Sequence, residues 1–165
     1  MPTNLTAKVQ LALYHKLTNP VDLTTPVDEL SYAPQKNYAN GTGSGQADLV
    51  WHDKITVAGS GSQDIDLSGT LTNALGVSCV FAKVKEIFIE NLSATKTLTI
   101  FGDANSVGIL GAAVQTLILK PSGKLYLSAP LDGYTVTAAT GDILQIANEA
   151  GASADVNVWI VGTSA

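Results

Sequence analysis

Arginine is missing from this 165-residue sequence; all nine basic residues are lysines. Arginine is the side chain that grips phosphate through two parallel hydrogen bonds and reads guanine edges. Its absence, with a formal net charge of -5, argues against nucleic-acid binding, which needs a compensating basic surface. The same charge argues against docking on anionic lipid. Cys79 is the single cysteine, so no intramolecular disulfide can form. It lies in the apolar run Val77–Phe81, where a thiol reads as a small buried hydrophobe rather than a reactive group. No apolar stretch approaches the ~20 residues of a membrane span. The start, Met1 to Thr6, lacks the basic and apolar regions of a secretory signal. The expectation is a protein made in a cytoplasm, with no membrane partner.

Catalytic constellations are also missing. His15 and His52 are the two histidines, and no Gly-x-Ser-x-Gly elbow accompanies them, so neither reads as part of a nucleophilic triad. Zinc would need Cys/His pairs at short spacing. Asp64 and Asp66 alternate as a solvated strand face does, which is weak support for calcium. Gly41-Thr-Gly-Ser-Gly45 is not followed by Gly-Lys-Ser/Thr, so it reads as linker rather than phosphate loop. Glu86 and Glu90 share a strand face flanked by Lys83 and Lys85, the pattern of a charged patch at a surface or interface. Trp51, Trp159, Tyr126 and Tyr134 could line a sugar-binding groove, though core or subunit packing is the favoured reading. No catalytic, cofactor-binding or metal-binding residue is predicted, and the chain does not read as an enzyme.

What is present is β-structure. Hydrophobic residues make up 45% of the chain and charged residues 14%, which excludes disorder. From residue 48 onward, short apolar-alternating segments recur about every 8–12 residues between turn signals. They are 48–57, 62–67, 79–92, 97–101, 116–119, 124–127, 135–137, 142–146 and 155–161. No segment suits the long helices that a parallel sheet requires. The expected fold is all-β: an antiparallel two-sheet sandwich, wound as a jelly roll, with an extended N-terminal arm. The expected division is an arm and linker over residues 1–45, where four of the six prolines lie, and a sandwich body over 46–165.

Within the arm, Leu5, Ala7, Val9, Leu11 and Leu13 recur at a period of two, which predicts one strand from Leu5 to Tyr14 with an apolar face. Pro26 confines the segment from Val21 to Leu30 to an edge or irregular path. The arm's apolar face needs cover, from its own body or from a neighbouring subunit. Leu5, Val9, Leu11, Leu13 and Tyr14 are therefore the predicted interface residues. Burying such side chains contributes roughly 1.5–3 kcal/mol each before ordering costs.

A set of phrases then occurs in order: Gly43 to Trp51 (GSGQADLVW), Asp64 to Gly69 (DIDLSG) and Phe81 to Ile87 (FAKVKEI). Later come Lys120-Pro-Ser-Gly123, Tyr134 to Ala138 (YTVTA), Gly141-Asp-Ile-Leu144, Ile146-Ala-Asn148 and the closing Ile160 to Ala165 (IVGTSA). Together they resemble small virion structural proteins of tailed bacteriophages and prophages. The resemblance covers most of residues 41–165. It implies a capsid decoration, or cement, protein on the outer head surface, a homotrimer that clamps neighbouring major capsid subunits. The family has no catalytic motif to transfer. A carbohydrate- or receptor-binding sandwich of a tail or head fibre is the alternative.

Overall fold

Side chains on a strand alternate between two faces, so a strand that is apolar on one side needs a second layer to cover it. The computed structural model describes residues 4–69, 71–111 and 114–165. It contains β1 (Ala7–Gln10), β2 (Leu13–Thr18), β3 (Val27–Tyr32), β4 (Gln35–Asn40), β5 (Gln46–Ala47), β6 (Leu49–Val57) and β7 (Ser62–Asp66). There follow β8 (Lys83–Asn91), β9 (Leu98–Phe101), β10 (Thr116–Leu119), β11 (Lys124–Ser128), β12 (Tyr134–Thr135), β13 (Ile143–Asn148) and β14 (Ala154–Thr163). The protein is all-β, and its body is an antiparallel two-sheet sandwich.

One sheet has the order β11-β8-β14-β6, with β12 also paired to β8; the other has the order β10-β9-β13-β7. Counting from β6 and taking β11 with β12 as one position, the first sheet runs sixth–third–eighth–first. The second runs fifth–fourth–seventh–second. Ile87, Ile89, Val156 and Ile160 from the first sheet meet Leu98, Ile100, Leu144 and Ile146 from the second, all fully buried. Trp51 and Cys79 belong to this core as well.

A third layer lies outside the sandwich. Strands β1, β4 and β5 form a small sheet in that spatial order. Its Leu5, Ala7, Val9, Tyr38 and Ala47 pack on Val50, Trp159 and Val161 of the five-stranded sheet. The body itself thus covers the first half of the arm. The predicted single strand from Leu5 to Tyr14 is instead two strands, broken at Leu11–Ala12. The break faces Pro34, whose carbonyl accepts from the Leu11 amide (3.1 Å) but which has no N–H to continue the β1–β4 ladder.

The seam between this layer and the sandwich is polar and buried. A bulge between Val161 and Gly162 leaves Lys85 without a partner on β14, while Glu86 pairs with Val161 and Val84 with Gly162. A Cβ at Gly162 would stand 2.1 Å from the Lys83 carbonyl oxygen, so no side chain fits there. The extra residue lets two successive side chains serve the outer layer, which strict alternation forbids. Glu86 accepts from the Tyr38 hydroxyl on one oxygen and from the Tyr126 hydroxyl on the other (2.8 Å). The Lys85 ammonium donates to the carbonyls of Gly43 (2.8 Å) and Gln46 (2.6 Å).

Two sequence expectations change here. Of the charged patch expected at a surface or interface from Glu86 and Glu90 with Lys83 and Lys85, Lys85 and Glu86 are buried, with relative exposures of 1% and 0%. The glycine run read as linker is a turn held by Lys85 and by the Gln46 side chain, which accepts from the Gly43 amide (3.0 Å). Burial, then the nearby Lys83, holds the Lys85 amine below its usual range.

Burial, reinforced by Glu86, pushes the Tyr38 hydroxyl far above the ordinary phenol range. The folded state then keeps that proton while the unfolded chain loses it, so stability is full below about pH 10 and falls as pH rises beyond it. Tyr38→Phe is expected to cost about 1.5–3 kcal/mol at neutral pH, the range for a hydrogen bond to a charged group. In urea titrations, the decline in stability above pH 10 should be shallower in the variant than in the parent. Equal slopes would show that Tyr38 ionises alike in both states.

Candidate interaction surface

Strand register sets side chains of four neighbouring strands in rows across the outer face of the five-stranded sheet. Val50, Val161 and Glu86 form the row beneath the third layer. Beside it, His52, Trp159, Phe88 and Tyr126 stand directly opposite one another on β6, β14, β8 and β11. The next row is Lys54, Asn157, Glu90 and Lys124.

The aromatic row is the floor of two depressions. One, of about 330 Å³, is walled by Val9 and Leu11 and floored by Phe88, Tyr126 and Trp159. The other, of about 360 Å³, lies across Phe88 and Trp159, beside His52, Lys54 and Asn157. Several of the polar groups around the floor are already engaged. Tyr126 donates to Glu86; the Asn157 amide donates to Glu90 (3.1 Å), which also pairs with Lys124; Lys54 pairs with Asp155 at 2.6 Å. Lys124 and then Asn157 hold the Glu90 carboxyl below its usual range, and Lys54 with Thr56 does the same for Asp155. Burial raises the Tyr126 hydroxyl. The groove floor therefore offers chiefly apolar ring faces.

A second feature rises from the edge of this groove. Strands β2 and β3 pair only with each other, as a two-stranded ribbon in which every residue is exposed. Register puts Leu13, His15 and Leu17 on one face with Tyr32, Leu30 and Asp28. The opposite face carries Tyr14, Lys16, Thr18, Val27, Glu29 and Ser31. His15 meets Asp28 at 3.4 Å and Lys16 meets Glu29 at 3.5 Å. Exposed pairs of this kind contribute at most about 1 kcal/mol. At the ribbon's end, Val21 and Thr24 bridge across a two-residue turn, and Leu23 is 98% exposed. An isolated two-stranded hairpin is marginal in water, and an exposed strand edge invites pairing.

The five predicted interface residues separate into three environments. Leu5 and Val9 pack against the body. Leu11, 41% exposed, walls the groove, and Leu13 and Tyr14 stand on opposite faces of the ribbon, 50% and 65% exposed. Of the four aromatics singled out in sequence, Trp51 is core and Tyr134 packs against the core, while Trp159 and Tyr126 reach the groove. Phe88 belongs to the apolar segment 79–92 and was not among the aromatics singled out. Its parity was legible, because it alternates with Ile87 and Ile89 and falls with Glu86 and Glu90. His15 and His52 lie apart, on the ribbon and in the aromatic row. Asp64 accepts from Gln145 (2.9 Å), and Asp66 from the Ser68 amide (3.1 Å). Among the described residues, no group of three or more His, Cys, Asp or Glu is placed to hold a metal ion. No helix among them is long and apolar enough to cross a membrane.

No family model matches the chain, and no curated protein matches it. One similar solved structure is described as the crystal structure of PirA. It is 17% identical, with a TM-score of 0.39, over 67% of this chain and 93% of that one. So slight a likeness carries no argument.

Since every residue of the ribbon's two strands is exposed, its removal should leave the body intact. Replacing residues 14–31 by a two-residue turn is expected to move the melting temperature by less than about 3 °C, equivalent to under roughly 1 kcal/mol in a domain of this size. A larger fall in a calorimetric scan would show that the ribbon supports the fold.

Proposed function

We propose that this chain is a structural protein of a tailed-phage virion, a capsid decoration protein that binds the outer head surface and clamps neighbouring major capsid subunits as a homotrimer. The observation that carries this reading is the ribbon: an apolar-faced, wholly exposed β-hairpin anchored in a rigid sandwich. Such an element gains its stability by laying an apolar face or a strand edge on another protein. The ordered phrases from Gly43 to Ala165 support the same assignment, and the acidic, arginine-free composition suits a surface turned away from packaged DNA.

A second reading has its own support. The in-register row of Trp159, Phe88 and Tyr126 is a stacking platform of the kind that sugar-binding sandwiches use. It would make the chain a glycan- or receptor-binding module of a fibre.

Labelled protein added to expanded heads that lack it is expected to bind saturably on the outside. Binding should fall at least tenfold when residues 14–31 are replaced by a turn. Absence of head binding, together with virions whose stability is unchanged without the protein, would sink the decoration reading. Strong signals on a glycan array, lost in Trp159→Ala, would put the fibre-module reading in its place.

A further inference from the structure

The geometry points to a specific contact between copies of this chain: the apolar face of one copy's ribbon seats in the aromatic groove of the next. Three observations carry it. The first is that, among the described residues, the ribbon face has no cover and the groove floor is only partly covered. Leu13, Leu17, Leu30 and Tyr32 share one ribbon face, and each is 48–67% exposed. Phe88, Tyr126 and Trp159 floor an open groove of about 330 Å³.

The second is a match of length and chemistry. Leu13 to Leu17 spans four residues, about 14 Å at a strand rise of ~3.4 Å. From His52 to Tyr126 the row crosses four adjacent strands, again about 14 Å at ~4.8 Å per strand. A ribbon lying across the strands would therefore set its Leu/Tyr face along the full row. The groove floor is three aromatic rings, and the one hydroxyl among them, that of Tyr126, already donates to Glu86, which suits an apolar side-chain face better than the hydroxyls of a sugar.

The third is charge. Between Leu13 and Tyr32 the ribbon carries Asp22, Asp28 and Glu29 against one lysine, Lys16. Lys8 and Lys36 rim the groove and the depression beside it, and no carboxylate lines either; Lys54, farther along the row, is paired with Asp155. Opposite signs across the contact steer the docking and fix its direction.

Ribbon and groove are different surfaces, so the contact is head-to-tail and closes into a ring only if the rotation permits. The ribbon leaves the body at Leu11, which walls the groove, and Pro34, which with Leu11 and Tyr126 lines a neighbouring depression. Each copy can therefore give its ribbon and receive another's on one side of the body.

This inference shares with the proposed function the view of the chain as an assembly protein, but it is tested without any phage particle. Sedimentation of the isolated full-length protein is expected to show reversible self-association at micromolar concentration. Leu17→Asp with Leu30→Asp should leave a folded monomer, since neither residue is buried. Trp159→Ala should also abolish association. If that variant does not fold, Lys8→Glu reverses the rim charge at an exposed position of β1 and should weaken association several-fold.

The decisive arm mixes a ribbon-defective variant with a groove-defective one. Each is monomeric alone, and the mixture should form a one-to-one dimer through the single intact pair of surfaces. A monomeric parent protein would overturn the inference. So would a mixture that stays monomeric, or a monomer whose Trp159 fluorescence responds to a soluble glycan panel. Self-association without head binding would keep the inference and remove the decoration reading; head binding by a strict monomer would do the reverse.

Discussion

The carboxyl group of Glu86 joins the two parts of this molecule. It is wholly buried, and its two oxygens accept from Tyr38 of the third layer and Tyr126 of the sandwich. A buried carboxyl is costly unless its lone pairs are satisfied, so the two phenols and the carboxyl depend on one another. Lys85 beside it fastens the turn that brings the chain from β4 into β5. Both side chains reach the seam because a bulge breaks the alternation of β8 against β14. Without that irregularity one of the two would point into the apolar core. The third layer in turn leaves the aromatic row open on one side and launches the ribbon from its edge. Fold, groove and ribbon thus all follow from one displaced residue and the polar cluster it permits.

The body was legible in sequence because a half-buried strand has a period of two and its turns carry Gly, Pro and Asp. The segment 116–119 is β10 residue for residue, and the other body strands differ from expectation by a few positions at their ends. The N-terminal region was harder to read for physical reasons. Leu5 to Leu13 keep one parity, and nothing local announces that Pro34, over twenty residues on, ends the pairing at Leu11. Glycine content made residues 40–45 look slack, while the lysine that fixes them lies on β8. The burial of Glu86 depends on a layer built from residues 5–47. These are long-range facts, and a local pattern cannot contain them.

The candidate surface divides the same way. Trp159 and Tyr126 stood in the sequence among four aromatics for which core or subunit packing was favoured, and only the register of four strands shows them as one row with Phe88. The ribbon appeared in sequence as part of an arm in need of cover. Its separation into a body-packed half and a free hairpin changes what such cover means: Leu5 and Val9 already have it, whereas Leu13, Leu17 and Leu30 do not.

The ribbon is an insertion between two strands that pair with each other. Chain leaves β1 at Gln10 and returns to β4 at Gln35, and these two residues are opposite neighbours in the ladder. A tension along the ribbon therefore pulls both strands from the same end, with equal load on each. The β1–β4 hydrogen bonds feel little shear between them. The pair must instead slide together over the sandwich, against the packing of Leu5, Ala7 and Val9 and the Tyr38–Glu86 link. Mechanically this is a strap stitched at both ends to one plate, and it yields only when the whole plate lifts.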